Sequence, residues 1–360
     1  MWKGRSAPKK KPYRKGWSLF MLRAAIIGCG GIAQVHAQAL SERPDTHLVA
    51  AADCRLERAE ALCARFGGAP YQSFRELLQR EQPDVIHLCT PHSLHVPMAE
   101  EALGSSIHVL SEKPAAISPD QLQRLRDTAK RSPAQYGVCF QNRYNPCVQV
   151  AKERIASGAS GKILAVRAFV TWSREAPYYT ESGWRGTLQK EGGGVLTNQA
   201  IHTLDLVHYL GGEIVAVSGQ IFNEHLRGVI EVEDTACALL QYESGAAGIF
   251  YATTAYNQNA PVQLEFVCEQ ETLRLEGPNL YRLDGNNFTL LCGEEEHTPG
   301  KAYWGSSHAR LIDAFYSSLL PGGESFPIGA EEGGRASELL FSLYAQNGID
   351  YESLPLDETI

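Results

Sequence analysis

The chain contains no apolar run long enough to cross a bilayer, and none that could form the core of a secretory signal sequence. It has no twin-arginine pair and no excess of basic residues, because 33 Lys and Arg stand against 41 Asp and Glu, for a formal net charge of −8 at pH 7. These absences argue against an integral membrane protein, an exported protein and a nucleic-acid-binding protein. We therefore expect a cytoplasmic protein without a membrane or nucleic-acid partner.

The nine cysteines form no C-x-x-C pair, and their number is odd. A disulfide framework or a paired-cysteine zinc site would need regular spacings. Several of these cysteines lie in apolar strand candidates, where reduced cysteine behaves as a small core residue. The histidines His92 and His95 also lack a convincing set of further ligands. We expect reduced thiols and no metal.

A length of 360 residues with 44% hydrophobic and 21% charged residues is typical of a globular protein with two domains. Residues 1–20 differ from the rest, because they carry several basic residues and no acid. We interpret them as a disordered or artefactual basic tail, with a basic arm for nucleic acid or a membrane as the alternative.

The two predicted domains differ in their pattern of elements. Residues 21–143 alternate short apolar strand candidates with helix candidates, which is typical of a Rossmann-type α/β domain with a parallel sheet. In residues 144–360 longer strand candidates follow one another with few helices between them. This second pattern predicts an α+β domain with a mainly antiparallel sheet. Ser244-Gly245, between two of these strands, is typical of a hairpin turn.

A glycine-rich turn at residues 28–33, with the sequence Gly-Cys-Gly-Gly-Ile-Ala, follows an apolar strand candidate and leads into a helix candidate. The G-x-G-x-x-A spacing places glycine where the turn is tight and where the backbone must approach a pyrophosphate. The helix N-terminus then offers free N–H groups to the phosphates. We predict a dinucleotide site that includes Gly28, Gly30, Gly31, Ile32 and Ala33.

An acid stands at the end of the next strand candidate, since Asp53 follows residues 47–52 and comes twenty residues after Ala33. A carboxylate at this place can bind the ribose hydroxyls of NAD and repel the 2′-phosphate of NADP. Arg55 lies close by and weakens this preference. We predict NAD as the cofactor, with Asp53 and Arg55 in its site.

A lysine follows a further strand candidate, in the sequence Glu112-Lys113-Pro114. The carboxyl ends of parallel strands share the edge at which open α/β sheets bind ligands, and Thr90-Pro91 end a neighbouring strand at the same edge. A lysine at this edge can stabilise a developing alkoxide or move a proton. A surface lysine in a loop would show the same pattern.

The run Gly192–Gly194 precedes a helix candidate over residues 194–210. Asn198, His202 and Asp205 are spaced i, i+4 and i+7 there, so we predict that they form a polar stripe on one face of the helix. A lone helical histidine is more often structural than catalytic. The functional interpretation of His202 therefore depends on Lys113 and on the glycine turn.

Residues 171–187 are rich in aromatic side chains, hydroxyls and arginine. Such a segment suits a sugar ring, whose apolar face stacks on aromatic rings while its hydroxyls need fixed polar partners. Loop packing or a subunit interface favours the same residue types equally. The candidate substrate contacts are Trp172, Tyr179, Trp184 and Arg185.

Taken together, these motifs resemble the Gfo/Idh/MocA oxidoreductase family. The matching segments occur in family order between residue 21 and about residue 347, at 25–33, 51–53, 90–95, 109–114, 141–146 and 191–205. The resemblance implies a Rossmann domain followed by a substrate-binding domain with a large open sheet that often forms dimers or tetramers. It also implies hydride transfer between a nicotinamide and a ring hydroxyl of a sugar, nucleotide sugar or cyclitol.

The resemblance also implies roles for single residues. Lys113 matches the catalytic lysine of the family and His202 its catalytic histidine, whereas many members carry Asp where this chain has Asn198. Because an amide cannot accept a proton, we expect Asn198 to orient His202 or to bind a second ring hydroxyl. The side chains expected near the nicotinamide half of NAD or the substrate are Thr90, Pro91, His95, Glu112, Lys113 and Arg143.

Three functions stay open at this point. The first is an NAD-dependent sugar, glycoside or cyclitol dehydrogenase. The second is a glycoside-cleaving enzyme that oxidises a ring carbon transiently and recycles its NAD in place. The third is a non-catalytic NAD-binding partner protein, against which the presence of both Lys113 and His202 argues.

Overall fold

The computed structural model describes residues 21–293, 307–351 and 353–360. The predicted basic tail, residues 1–20, lies outside the described residues. The remaining chain forms two sheets with helices packed on them.

The first sheet has six strands in the order β3-β2-β1-β4-β5-β6, and every neighbouring pair is parallel. Right-handed crossovers place the connecting helices on both faces of such a sheet. The strands are β1 Leu22–Ile27, β2 Thr46–Ala52, β3 Ala69–Tyr71, β4 Val85–Leu88, β5 His108–Ser111 and β6 Tyr136–Val138. The helices are α1 Gly31–Glu42, α2 Leu56–Phe66, α3 Phe74–Glu81, α4 His95–Gly104 and α5 Pro119–Arg131.

Local sequence explains these elements. The central strand β4 is buried along its whole length, as expected for a strand covered on both faces. The helices α3 and α5 begin after serines, and the Ser73 and Ser118 hydroxyls accept hydrogen bonds from backbone N–H groups of the first turn. Between β1 and β4 the strand order reverses, which places the ligand crevice of this sheet at their carboxyl ends.

The second sheet has eight strands in the order β14-β13-β12-β11-β7-β10-β9-β8, antiparallel except for the β7–β10 pair. Its strands are β7 Ile163–Thr171, β8 Ile214–Phe222, β9 Thr235–Tyr242, β10 Ala247–Thr253, β11 Gln263–Cys268, β12 Thr272–Glu276, β13 Asn279–Asp284 and β14 Asn287–Cys292. The helices of this half are α6 Pro146–Ala156, α7 Ala176–Thr180, α8 Ile201–Gly211, α9 His308–Leu319 and α10 Ala330–Gln346.

The predicted fold class is confirmed: a parallel Rossmann-type sheet is followed by a large, mainly antiparallel sheet. The hairpin at Ser244-Gly245 joins β9 to β10, with Gly245 at φ +87° and its N–H donating to the Tyr242 carbonyl. The short strand β3, the strands β13 and β14 and the short helix α7 were not predicted. None of the described helices is long and apolar enough to cross a bilayer.

The C-terminal helices return to the first sheet. Helix α9 packs on α1, and α10 packs on α5 and β6. The aromatic rings of Phe315 and Phe326 fill the space beside Gly137 in β6, where a Cβ would lie within 3 Å of both. Residues that the sequence placed in the second domain thus complete the core around the first sheet, and the boundary at 143/144 stays a prediction.

Candidate functional site

The glycine turn has the geometry that its spacing predicts. Gly28 has φ +86°, and a Cβ there would lie 2.6 Å from the Cys89 carbonyl oxygen, so only glycine fits beside the end of β4. A Cβ built on Gly30 or Gly31 meets no heavy atom within 4 Å. The first glycine therefore serves chain packing, while the next two leave open space above the N-terminus of α1. Ala33 is fully buried and Ile32 half-buried in the first turn of that helix.

Asp53 connects the end of β2 to this turn. Its Oδ2 accepts a hydrogen bond of 2.8 Å from the Cys29 N–H, and its Oδ1 accepts one of 2.9 Å from the Arg55 N–H. The carboxylate thus braces the turn from the side on which the adenosine ribose of a dinucleotide lies. Arg55 is exposed at the start of α2.

His95 braces the sheet edge. Its ring nitrogens lie 2.9 Å from the Pro114 carbonyl oxygen and 3.0 Å from the Thr90 carbonyl oxygen. The neutral ring lies between two backbone carbonyls and can donate to one of them, so His95 has a bracing role here and its predicted contact with the cofactor stays a prediction. The contact ties the loop after β4, with Thr90 and Pro91, to the loop after β5.

Glu112 is buried, and its carboxylate has protein partners. Its Oε1 lies 3.0 Å from His36 Nε2 and 3.6 Å from His308 Nε2. His36 continues the chain of contacts to His87 and through it to the hydroxyl of Tyr316. The predicted contact of Glu112 with the cofactor stays a prediction.

One group of metal-ligand type occurs among the described residues. His36, Glu112 and Cys139 bring one ligand atom each within 4.8 Å of one another, all of them buried. Because His36 and Glu112 already bond each other, the group has an explanation without an ion. The expected absence of a metal stays a prediction.

Lys113, Asn198 and His202 lie around one cleft. The Lys113 ammonium donates to the Asn198 backbone carbonyl at 3.0 Å and faces the Asn198 Oδ1 at 3.3 Å. The peptide bond between Lys113 and Pro114 is cis. The structure thus brings the three predicted catalytic residues together, from the loop after β5 and from the helix after the glycine run. Asn198 contacts Lys113 here, and its two expected roles, orienting His202 or binding a second ring hydroxyl, stay predictions.

A π-helical turn over Leu196–Ala200 precedes α8. A π-turn changes the side of the helix on which the following side chains lie, and such turns often occur at functional sites. Here Asn198 and His202 line the cleft, whereas Asp205 is buried and pairs with Arg143. The predicted stripe of three polar residues is therefore wrong at its third member.

Arg143 is a structural residue in this arrangement. Its Nε and Nη2 donate to the two carboxylate oxygens of Asp205 at 2.8 and 2.6 Å, and its Nη1 donates to Glu332 at 2.6 Å. The guanidinium also stacks on the ring of Tyr209. Since all three nitrogens have buried or half-buried carboxylate partners, the expectation that Arg143 contacts cofactor or substrate is corrected.

The three glycines 192–194 pack against protein. A Cβ on Gly192 would lie 2.3 Å from the Ile117 Cβ, and one on Gly194 would lie 1.8 Å from the Glu233 carbonyl oxygen. The Glu233 carboxylate in turn accepts the N–H groups of Gly194 and Leu196 at the start of the helix. The close approach predicted for this run is one between chain segments.

Burial shifts the pKa values of the groups around the cleft. It lowers the pKa of His202 to about 3, with help from the positive charge of Lys113, so this imidazole is neutral at physiological pH. Burial also lowers the pKa of Lys113, while Glu112 and Glu191 oppose the shift. A neutral imidazole and a cation at one cleft provide a proton acceptor and an electrostatic partner for a developing alkoxide.

The aromatic segment contributes in part as predicted. Trp172 lines the cleft and donates its indole N–H to the Ala260 carbonyl. Tyr179 instead belongs to a small separate core with Leu226, Ile230 and Val232, which corrects its assignment as a substrate contact.

Tyr178, the neighbour of Tyr179, lines the cleft, and the guanidinium of Arg185 lies 4.4 Å from the centre of its ring. Arg185 also covers Trp184, whose ring packs on His92. Trp184 and Arg185 therefore lie behind the tyrosine, outside the lining of the cleft.

Several lining residues were absent from the predicted site. The position of Gln141 and Asn142 just after β6 is a signal that could have identified them, because that strand ends at the ligand edge of the sheet. No sequence signal points to Val262, which reaches the cleft only through the folding of the second sheet. The lining residues missed are Gln141, Asn142, Arg174, Tyr178, Gln199, Thr203 and Val262.

Two family models match the chain. Residues 22–140 match the model described as oxidoreductase family, NAD-binding Rossmann fold, and residues 148–274 match the GFO/IDH/MocA C-terminal domain. The chain belongs to the Gfo/Idh/MocA family. Membership confirms the predicted NAD cofactor and the oxidoreductase class, and it assigns the glycine turn to the NAD-binding domain of this family.

Named relatives match three quarters of the chain or more. D-glucoside 3-dehydrogenase of Escherichia coli is 28% identical over 356 residues, 92% of this chain and 97% of the relative. The NAD(+)-dependent scyllo-inositol 2-dehydrogenase of Bacillus subtilis is 26% identical, over 75% of this chain and 80% of its own. The solved WlbA dehydrogenase of Bordetella pertussis, in complex with NADH and UDP-GlcNAcA, has a TM-score of 0.79 at 29% identity, covering 90% of this chain and 96% of that one.

Proposed function

We propose that this family member is an NAD-dependent dehydrogenase that oxidises a ring hydroxyl of a sugar, glycoside or cyclitol. The observation that carries the proposal is the convergence of Lys113, Asn198 and His202 on one cleft at the carboxyl edge of the NAD-binding sheet. The relatives named above act on glucosides and inositols, which supports this substrate class.

The residues of the first sheet fit the cofactor. The open space over Gly30 and Gly31 and the N-terminus of α1 suit a pyrophosphate, and Asp53 suits the adenosine ribose hydroxyls. NAD, when bound, supplies the acceptor for the hydride that leaves the ring carbon. The protein has to orient the substrate and handle the proton.

Two side chains act on the substrate hydroxyl, one on its proton and one on its oxygen. His202 lines the cleft and is neutral, so an unprotonated ring nitrogen is available to accept the hydroxyl proton. The Lys113 ammonium stabilises the oxygen as negative charge develops there. Trp172 and Tyr178 line the cleft, and aromatic side chains suit the apolar side of a pyranose or inositol.

A turnover assay tests the proposal. We would follow NADH absorbance with purified protein and panels of glucosides, inositols and nucleotide sugars, using Lys113→Ala as the matched control. Stoichiometric NADH formation that Lys113→Ala abolishes supports a dehydrogenase. Aglycone release without net NADH would instead indicate glycoside cleavage with recycled NAD, and no reaction across the panels would contradict the substrate class.

We further propose that the protein is a homo-oligomer that uses the open face of the second sheet. Leu239 and Ile249 are 58% and 45% exposed on paired strands of this face, and Phe288 and Leu290 are 53% and 56% exposed at the far edge strand. Between these apolar areas Glu265 pairs with two arginines of the same sheet, and one of them, Arg274, also lies 3.9 Å from Glu276, so the charges at the centre compensate one another. A second copy offers the same surface and would cover both areas.

Solution mass tests the oligomer. We expect light scattering after gel filtration to give a multiple of the chain mass of 39.5 kDa. Leu239→Glu should shift the protein toward the monomer, whereas Val229→Glu, at an exposed loop position, should not. A wild-type monomer at working concentration would contradict the proposal.

We also propose a cytoplasmic location and keep the division into domains 21–143 and 144–360 as a proposal. All nine cysteines are free thiols, as expected in a reducing compartment. Fractionation of the source cells with compartment markers would test the location.

A further inference from the structure

Glu191 is a buried carboxylate next to the catalytic cleft, and sequence reasoning gave it no role. It precedes the three glycines and is fully buried. Its Oε2 accepts the N–H of Gly186 at 2.5 Å, and its Oε1 accepts a short hydrogen bond from the side-chain amide of Asn198. The carboxylate thus bonds directly to one of the three residues around the cleft.

We infer that Glu191 is a positioning residue: its carboxylate fixes the Asn198 amide so that the amide oxygen faces the Lys113 ammonium. The inference rests on the proposed function only for the effect of Glu191 on turnover. The orientation of the Asn198 amide is a property of this chain and does not depend on a substrate.

The two ends of the Asn198 amide differ in hydrogen bonding, since its NH₂ group donates and its oxygen accepts. An ionised carboxylate only accepts hydrogen bonds and an ammonium only donates them. Placed between Glu191 and Lys113, the Asn198 amide satisfies both only with its NH₂ toward Glu191 and its oxygen toward Lys113, at 3.3 Å. The hydroxyl of Tyr178, 3.4 Å from the same NH₂ group, agrees with this orientation.

The charge of Glu191 also acts on Lys113 directly. The charged side chains in the field of Lys113 are Glu112 and Glu191, which favour the ammonium, and Arg185, which opposes it. Burial lowers the pKa values of the surrounding histidines His92, His95 and His202, so these side chains are neutral near pH 7.

Glu191 itself titrates near neutrality. Burial raises its pKa to about 7, against the opposing effects of the Gly186 N–H, the Asn198 amide and the charge of Arg185. Above this pH Glu191 carries the negative charge that the arrangement needs. Below it, the protonated carboxyl keeps one carbonyl oxygen for two donors, the Gly186 N–H and the Asn198 NH₂ group, so its hold on the Asn198 amide weakens.

The isosteric variant Glu191→Gln separates this role from space filling. Glutamine can keep the Gly186 contact with its oxygen only if its own NH₂ group faces Asn198. The Asn198 amide must then turn its oxygen away from Lys113 and present NH₂ to the ammonium, donor against donor. Lys113 keeps the backbone carbonyl of Asn198 but loses its side-chain acceptor and a nearby negative charge.

Competitive acetylation measures the result without substrate or cofactor. We would label the full chain with acetic anhydride at a series of pH values and quantify the Lys113 peptide by mass spectrometry. In Glu191→Gln we expect the pH midpoint of Lys113 labelling to fall by roughly half a unit to one unit, as removal of a close opposite charge predicts. Glu271→Gln is the matched control, because it removes a buried carboxylate that pairs with Arg154 and lies outside the field of Lys113 and Glu191, and it should leave the midpoint unchanged.

Turnover supplies the second measurement. Wild type should exceed Glu191→Gln in kcat/KM above pH 7, and the ratio should shrink as the pH falls below the pKa of about 7. A merely structural loss would lower activity equally at all pH values. The double variant Glu191→Gln with Asn198→Asp places the carboxylate at residue 198, next to Lys113. It should recover the midpoint of Lys113 labelling and part of the activity.

Asn198→Asp alone tests the same contact if Glu191→Gln does not fold. It places two carboxylates at hydrogen-bond distance, so that they share a proton, and we expect the acid limb of kcat/KM to move to higher pH. Any one of three results overturns the inference. These are an unchanged midpoint of Lys113 labelling in Glu191→Gln, a double variant no better than Glu191→Gln alone, and an acid limb of kcat/KM that does not move in Asn198→Asp. Failure of all variants and wild type to turn over substrate contradicts the proposed function instead, because the labelling result does not depend on it.

Discussion

At the scale of single residues, the site separates side chains that face the cleft from side chains that hold it. Lys113 and His202 face it, whereas the His95 ring lies between two backbone carbonyls and Arg143 uses all its nitrogens on carboxylate partners. All four are polar residues at the sheet edge or in the segments beside it, so their type and spacing do not distinguish them. The partners that the fold supplies do.

Removal of the His202 imidazole should lower turnover strongly while leaving cofactor binding intact. We expect His202→Ala to reduce kcat by about 10² to 10⁴, the usual effect of losing a general base. Because burial and Lys113 lower the pKa of His202 to about 3, this histidine stays neutral as the pH falls through 6.5 and should produce no acid limb there. Pre-steady-state NADH formation and NADH fluorescence titration would measure the two effects, and near-wild-type turnover would contradict the assignment.

Asp53 should set the preference for NAD over NADP. We expect Asp53→Ala to weaken NADH binding by about tenfold or more, since hydrogen bonds to a charged group contribute about 1.5–3 kcal/mol each. Asp53→Asn keeps an acceptor for the Cys29 N–H and controls for loosening of the turn. Fluorescence titration with NADH and NADPH measures both affinities; equal affinities in wild type would show that Asp53 does not discriminate.

At the scale of elements, the two glycine clusters look alike in sequence and do different work. In the turn before α1, Gly30 and Gly31 border open space in which a ligand can lie. In the run before α8, Gly192 and Gly194 let two chain segments pack in contact where a Cβ would clash. Their neighbours in the fold explain the difference, since the first lies at the open carboxyl edge of the sheet and the second under Glu233 and Ile117.

Alanine at the two sites should therefore give opposite results. Gly30 has φ −77° and no neighbour within 4 Å, so Gly30→Ala should leave the melting temperature nearly unchanged and weaken NADH binding at least about tenfold. Gly194→Ala would place a Cβ 1.8 Å from a backbone oxygen and should destabilise the fold by about 3 kcal/mol or more, with NADH affinity kept in the folded fraction. Thermal unfolding and NADH titration of both variants give the comparison, and equal loss of stability would contradict it.

At the scale of the whole molecule, buried polar contacts join the two sheets and the C-terminal helices. Arg143 follows the first sheet and bonds to Asp205 in α8 and to Glu332 in α10. His87 in β4 reaches Tyr316 in α9 in the same way. The cleft lies where these parts meet, so its shape depends on the packing of both sheets.

Loss of the Arg143 guanidinium should cost stability and spare the cofactor. Arg143→Leu leaves the buried Asp205 carboxylate unpaired, which we expect to cost about 3–5 kcal/mol in the free energy of unfolding. The double variant Arg143→Leu with Asp205→Leu removes both charges and should recover part of this loss. Urea unfolding measures the cost; a loss of NADH affinity with unchanged stability would restore the assignment of Arg143 to the cofactor site.

The sequence determined what depends on local patterns. Strand and helix alternation, the glycine turn, the acid after β2 and the lysine after β5 are each set by residues close together in the chain, and the fold class and NAD site followed from them. Elements whose sequence has no strong hydrophobic periodicity were not predicted. Among them are β3, with three residues, and the strands β13 and β14 at the edge of the second sheet.

Only the tertiary structure decided which polar residues act and which support. The i, i+4, i+7 spacing assumed a regular α-helix, but the π-turn at Leu196–Ala200 interrupts it at Asn198, and Asp205 faces Arg143 in the interior instead of the cleft. Likewise, Glu191 meets Asn198 because the glycine run turns tightly against Glu233, a contact between segments some forty residues apart. A side chain's partners are fixed by the packing of distant segments, and local periodicity carries no information about that packing.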